Sequence, residues 1–138
     1  MTRQQQRIGK YGEGQAAGAL HRVGVEMVER IATPVITNGT RIIAYGERVS
    51  GDHRGILPGG RSVLAETKTI LDRNLRYSDL REHQPERLAR HAEHGGLSLL
   101  VWVHHSGVYV IKFPIAGFER GKSLTIEQAR KLQIEVIA

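Results

Sequence analysis

Three side chains in the middle of the chain have the types and spacing that phosphodiester chemistry needs. Asp52 precedes the turn Pro58-Gly59-Gly60, and Glu66 and Lys68 follow it. If the chain folds back about Gly59, residues face each other when their numbers sum to 118, so Asp52 lies opposite Glu66 and Arg54 opposite Leu64. Glu66 and Lys68 stand two apart on a strand, which puts them on one face. A one-residue slip would break this convergence, so it rests on the turn being centred at Gly59. Two close carboxylates repel unless a cation lies between them. A Mg²⁺ ion suits such a pair, because it takes hard oxygen ligands and keeps room for water and phosphate. It would polarise a phosphodiester and acidify a water, while Lys68 orients that water or offsets charge on the phosphate. The same three residues also fit a solvated cross-strand salt-bridge cluster with no chemistry.

The elements that must position these residues can be read on either side. Ile8, Tyr11, Ala16, Ala19, Leu20 and Val23 recur at helical spacing, closed near Gly24, and the glycines among them suggest a close approach by another backbone or a ligand. Strands are predicted at Val25–Ile31 and Arg41–Tyr45 around the turn Thr37-Asn38-Gly39-Thr40, and at Arg54–Leu57 and Ser62–Thr69 around the second turn. Leu71–Arg81 is polar and reads as a loop. A helix over Glu86–His94 follows Pro85, which a first helical turn accepts, and it stops at Gly95-Gly96. Leu97–His104 is a nearly continuous apolar run of the kind buried on both faces, Val108–Phe113 is a further strand, and Ile126–Leu132 a short helix. This order predicts a single α/β domain over residues 1–138 with a central mixed sheet flanked by helices, residues 1–8 forming a flexible basic arm.

The 138 residues carry 20 Lys+Arg against 14 Asp+Glu, a net charge of +6, which favours a polyanionic partner. Arg3, Arg7 and Lys10 on the arm, Arg54 and Arg61 flanking the hairpin, and Arg73, Arg76 and Arg81 after the second strand are the candidate DNA contacts. Such residues neutralise phosphates without reading sequence. The absence of Cys excludes disulfides and thiolate metal sites. No run approaches the roughly 20 apolar residues of a membrane span, and no apolar stretch opens the chain, so a cytoplasmic address is expected. The His91/His94 and His104-His105 pairs do not supply the three or four converging ligands of a zinc site; solvated or phosphate-contacting histidines are expected.

Asp52, the hairpin and Glu66-Thr67-Lys68 resemble the D…(D/E)-x-K signature of the PD-(D/E)XK nuclease superfamily. The wider pattern resembles its RecU-type Holliday junction resolvases: Gly12-Glu13, Thr33-Pro34, Ser50 to Gly55, Ala65 to Thr69, His83-Gln84, Gly95-Gly96, Tyr109 to Pro114 and Lys122-Ser123-Leu124. Archaeal junction resolvases share a sparser form of the same skeleton. The chain departs in having Gly51 before Asp52, where acidic or Thr residues are usual, in lacking a proline there, and in reducing a stalk-like insertion to Thr37–Arg48. The resemblance implies a restriction-endonuclease-like fold and metal-dependent cutting of four-way DNA junctions by a homodimer. Asp52, Glu66 and the Thr67 carbonyl would be ligands of Mg²⁺, for which Mn²⁺ would substitute. Lys68 would be the catalytic lysine, Glu13 would hold a metal-bound water or a second ion, and Gln84 would position the water or the phosphate. Other nucleases on the same fold, and a non-catalytic DNA-binding module, are the competing readings.

Overall fold

The computed structural model describes residues 2–31, 35–38, 41–45, 52–81 and 83–137. The first helix, α1, spans Arg3–Val23. Thr2 starts it with a reciprocal cap: its hydroxyl accepts from the Gln5 N–H, and the Gln5 side chain accepts from the Thr2 N–H. Gly24, in the left-handed region at φ 109°, ends it. Residues 3–8, expected as part of a basic arm, form the opening turns of this helix. Arg3, Arg7 and Lys10 are exposed on it.

The strands are β1 (Glu26–Arg30), β2 (Val35–Asn38), β3 (Arg41–Tyr45), β4 (Asp52–Ile56), β5 (Ser62–Thr69), β6 (Leu75–Arg76), β7 (Leu97–His104), β8 (Gly107–Lys112) and β9 (Ser123–Leu124). Helix α2 (His83–Glu93) lies between β6 and β7, and α3 (Ile126–Leu132) follows β9. The central sheet has the order β1-β4-β5-β7-β8. All its neighbours are antiparallel except β5 and β7, whose connection contains α2. This is the expected α/β architecture, a mixed sheet flanked by helices with a restriction-endonuclease-like arrangement. The strands β2 and β3 pair with each other in a separate two-stranded sheet.

Two departures from the sequence reading matter for the site. The stretch Leu71–Arg81, read as loop, contains β6 and a 3-10 turn at Tyr77–Asp79; β6 pairs with β9, and Leu75 and Leu124 are both buried. Arg73 and Asp79 hold this stretch through two hydrogen bonds of 2.8 Å. Helix α2 begins at His83 rather than Glu86, which brings Gln84 into its first turn beside Pro85.

The sheet carries a core on each face. On one side Ala16, Ala19, Leu20 and Val23 of α1 pack on Val63, Ala65, Leu97, Leu99 and Val101. On the other, Leu88 of α2 packs with Leu64, Leu100, Trp102, Tyr109 and Ile111. The close approach suggested by the α1 glycines is real at Gly12, where an added Cβ would stand 1.8 Å from the Thr69 hydroxyl oxygen. Among the described residues, no helix is long and apolar enough to cross a membrane.

Candidate active site

The β4–β5 hairpin has the register expected from the position of its turn: Asp52 pairs with Glu66, and Arg54 with Leu64. Two backbone hydrogen bonds fix it, Leu57 N–H to Arg61 O and Gly60 N–H to Leu57 O, both 2.9 Å. Gly59 and Gly60 take positive φ there, which leaves no freedom for the strands to slip. Along β5, Val63 and Ala65 belong to the α1 core and Leu64 to the α2 core. Alternation therefore puts Glu66 and Lys68, with Asp52 opposite, on the face that α2 covers.

Asp52 and Glu66 are both almost fully buried. Each has a cation: Arg87 of α2 donates to Asp52 Oδ2, and Lys68 Nζ stands 3.5 Å from Glu66 Oε1. Gln84 donates through Nε2 to Glu66 Oε1 at 2.7 Å, and its own Oε1 accepts from the Arg81 N–H at 2.8 Å. The amide is held at both ends, so Gln84 fixes a carboxylate. Asp52 Oδ1 is buried with no hydrogen-bond partner among the described residues. Burial pushes the Asp52 carboxyl above its ordinary value, against the opposing hydrogen bond and charge of Arg87. Burial, together with the Arg81 guanidinium, brings Lys68 down to about 8.

Glu13 is not brought into this group. It pairs at 3.3 Å with Arg30, which lies opposite His53 and so faces the α1 side. Thr67 lies between Glu66 and Lys68 with its side chain to the α1 side, its hydroxyl buried without a partner among the described residues. Among the described residues no group of three or more His, Asp or Glu could hold a metal ion. Any ion here would rest on two carboxylates, a carbonyl, water and substrate. Within those terms the donors fit Mg²⁺: all are oxygens, and Asp52 Oδ1 is an unpaired acceptor beside the carboxylate opposite. Ser50, Gly51, Thr33 and Pro34, which carried part of the resemblance, lie outside the described residues.

The candidate DNA contacts divide. Arg61 donates to the carbonyls of Gly95 and Gly96 at 3.0 and 3.2 Å and so ties the hairpin to the turn before β7. Arg73 is engaged by Asp79. Arg54 makes an exposed pair with Glu29, and Arg76 and Arg81 are exposed. One residue was missed from sequence. Arg87 could have been found from its place three residues after Gln84, on the same helical face. His91 is inserted between Ser62 and Ser98, at 3.0 and 2.9 Å. Since Ser98 gives its proton to the Leu88 carbonyl at 2.6 Å, it accepts from His91 Nδ1–H. This corrects the expectation of a solvated or phosphate-contacting histidine at position 91. Burial lowers its pKa, and the ring lies where a side chain at Gly96 would be.

No family model matches the chain. Over 114 residues it is 28% identical to the protein named Holliday junction resolvase RecU of Mycoplasmopsis pulmonis (strain UAB CTIP), covering 80% of this chain and 71% of that protein.

Proposed function

We propose that the chain is a divalent-metal-dependent endodeoxyribonuclease of the PD-(D/E)XK type that resolves four-way DNA junctions in the cytoplasm. The observation that carries this is the direct opposition of two buried carboxylates, Asp52 and Glu66, with Lys68 and Gln84 on Glu66. The similarity to a RecU resolvase supports the substrate class.

Asp52, Glu66 and the Thr67 carbonyl would hold Mg²⁺ or Mn²⁺. Bound there, the ion would polarise the phosphodiester and make an attacking water more acidic. The chain does the rest. Gln84, fixed by the Arg81 N–H, holds Glu66 Oε1 in place. Lys68, at about 8, is mainly protonated at neutral pH, so its Nζ can meet charge growing on the phosphate. Exposed Arg3, Arg7, Lys10, Arg54, Arg76 and Arg81 supply sequence-independent backbone contacts. Two symmetric cuts by a domain with one such site call for a C₂ homodimer.

The test is cleavage of a four-way junction against a linear duplex of the same arms, in Mg²⁺ and in EDTA. The proposal expects paired cuts in the junction only, abolished by EDTA. Equal rates on both substrates would sink the resolvase reading, and cutting in EDTA would sink the metal.

A further inference from the structure

Among the described residues, each of the two carboxylates already has a cation in an ion pair without a divalent ion: Asp52 has Arg87, and Glu66 has Lys68. A divalent cation on the unpaired Asp52 Oδ1 adds two positive charges directly beside the guanidinium that Arg87 holds on Oδ2 of the same carboxylate. The two cations are not equally placed to yield. The Lys68 side chain is 15% exposed and wedged beside Glu66, whereas that of Arg87 is 37% exposed. Arg87 also borders a groove of about 520 Å³ along α2, lined with His83, Glu86, Arg90 and His94. Its guanidinium has somewhere to turn.

We propose that Arg87 is a resident counter-ion: it holds Asp52 while no divalent cation is bound, and it is displaced into the α2 groove when the cation arrives. The inference rests on the metal reading above. It accounts for how Asp52 stays almost fully buried with Glu66 directly opposite, an arrangement that is costly without a compensating charge. It also makes Arg87 a positioning residue, one that keeps Asp52 in place for its ligand.

The experiment is a calorimetric titration of the DNA-free full chain with Mn²⁺. Arg87→Gln should bind Mn²⁺ roughly tenfold tighter than wild type, the ordinary size of a coupling between two ligands competing for one site. Arg90→Gln removes the same charge one turn along α2, where the ion-pair partner is Glu86, and should leave the affinity within about twofold of wild type. If Gln is not tolerated at 87, Arg87→Met keeps the stem of the side chain and should give the same tightening. Unchanged or weaker Mn²⁺ binding in the Arg87 variant, or equal tightening in Arg90→Gln, overturns the inference. Asp52→Asn separates the two claims. If it abolishes Mn²⁺ binding while Arg87→Gln changes nothing, the metal site stands and the counter-ion falls; Mn²⁺ binding indifferent to Asp52→Asn overturns both.

Discussion

The two faces of the central sheet are built from the same strands and do opposite things. Toward α1, β5 presents Val63 and Ala65 to small and aliphatic helix residues, and the interface is close enough that Gly12 meets Thr69 directly. Toward α2, the face is apolar at β7 and β8, with Leu100, Trp102, Tyr109 and Ile111, but turns charged at β4 and β5. There Asp52, Glu66 and Lys68 occupy positions that apolar residues would fill at lower cost. One face supplies stability, and the other gives some up to hold charges in place. The alternation of a single strand makes both possible.

The contrast can be broken in order of effect on stability. Leu20→Ala removes a fully buried side chain from the α1 face and should cost about 3 kcal/mol, lowering Tm by roughly 10 °C, read by thermal unfolding. Lys68→Met tests the opposite face. Lys68 is charged in both folded and unfolded states below about 8, so the burial penalty is fully present there. The penalty is relieved as pH rises from about 8 toward the ordinary 10.5, because the folded state then gives up its proton first. In EDTA, wild type should therefore gain stability relative to Lys68→Met as pH rises across that window. A constant gap would mean the lysine carries no such burden. Gly12→Ala gains helix propensity but drives a methyl into Thr69, for a net loss of about 1 kcal/mol in chemical denaturation. Glu29→Gln, which breaks the exposed pair with Arg54, should change stability by no more than about 0.5 kcal/mol.

How much of this could be read from sequence follows from the range of each interaction. The Asp52–Glu66 pairing was legible because a tight turn centred on Gly59 leaves one register. The strands β5 and β7 and the helix α3 were legible from their apolar patterns. The Thr2–Gln5 cap was a local signal too, and it explains why the helix starts at Arg3 where an arm was expected. What could not be read are contacts between elements distant in sequence. Arg87 reaches Asp52 across 35 positions, and Glu13 turns to Arg30 on the α1 side. His91 belongs to the packing of α2 on the sheet, and nothing in its spacing to His94 distinguishes that from a solvated ring. Among the basic residues, net charge could not separate Arg61 and Arg73, whose guanidinium groups hold loops, from Arg3, Arg7 and Lys10 on the exposed surface of α1.

The central claim is that the charged patch on the α2 face does the chemistry and contributes little to folding. Asp52→Asn tests it when junction cleavage in Mg²⁺ and thermal unfolding in EDTA are measured on the same preparation. Because burial pushes the Asp52 carboxyl up, its charged form is a cost to the fold, so the variant should melt at or above wild type. Cleavage should fall by at least about a thousandfold, the scale of several kcal/mol of lost transition-state stabilisation. Cleavage that persists in Asp52→Asn, or that disappears only because the protein unfolds, would contradict the account.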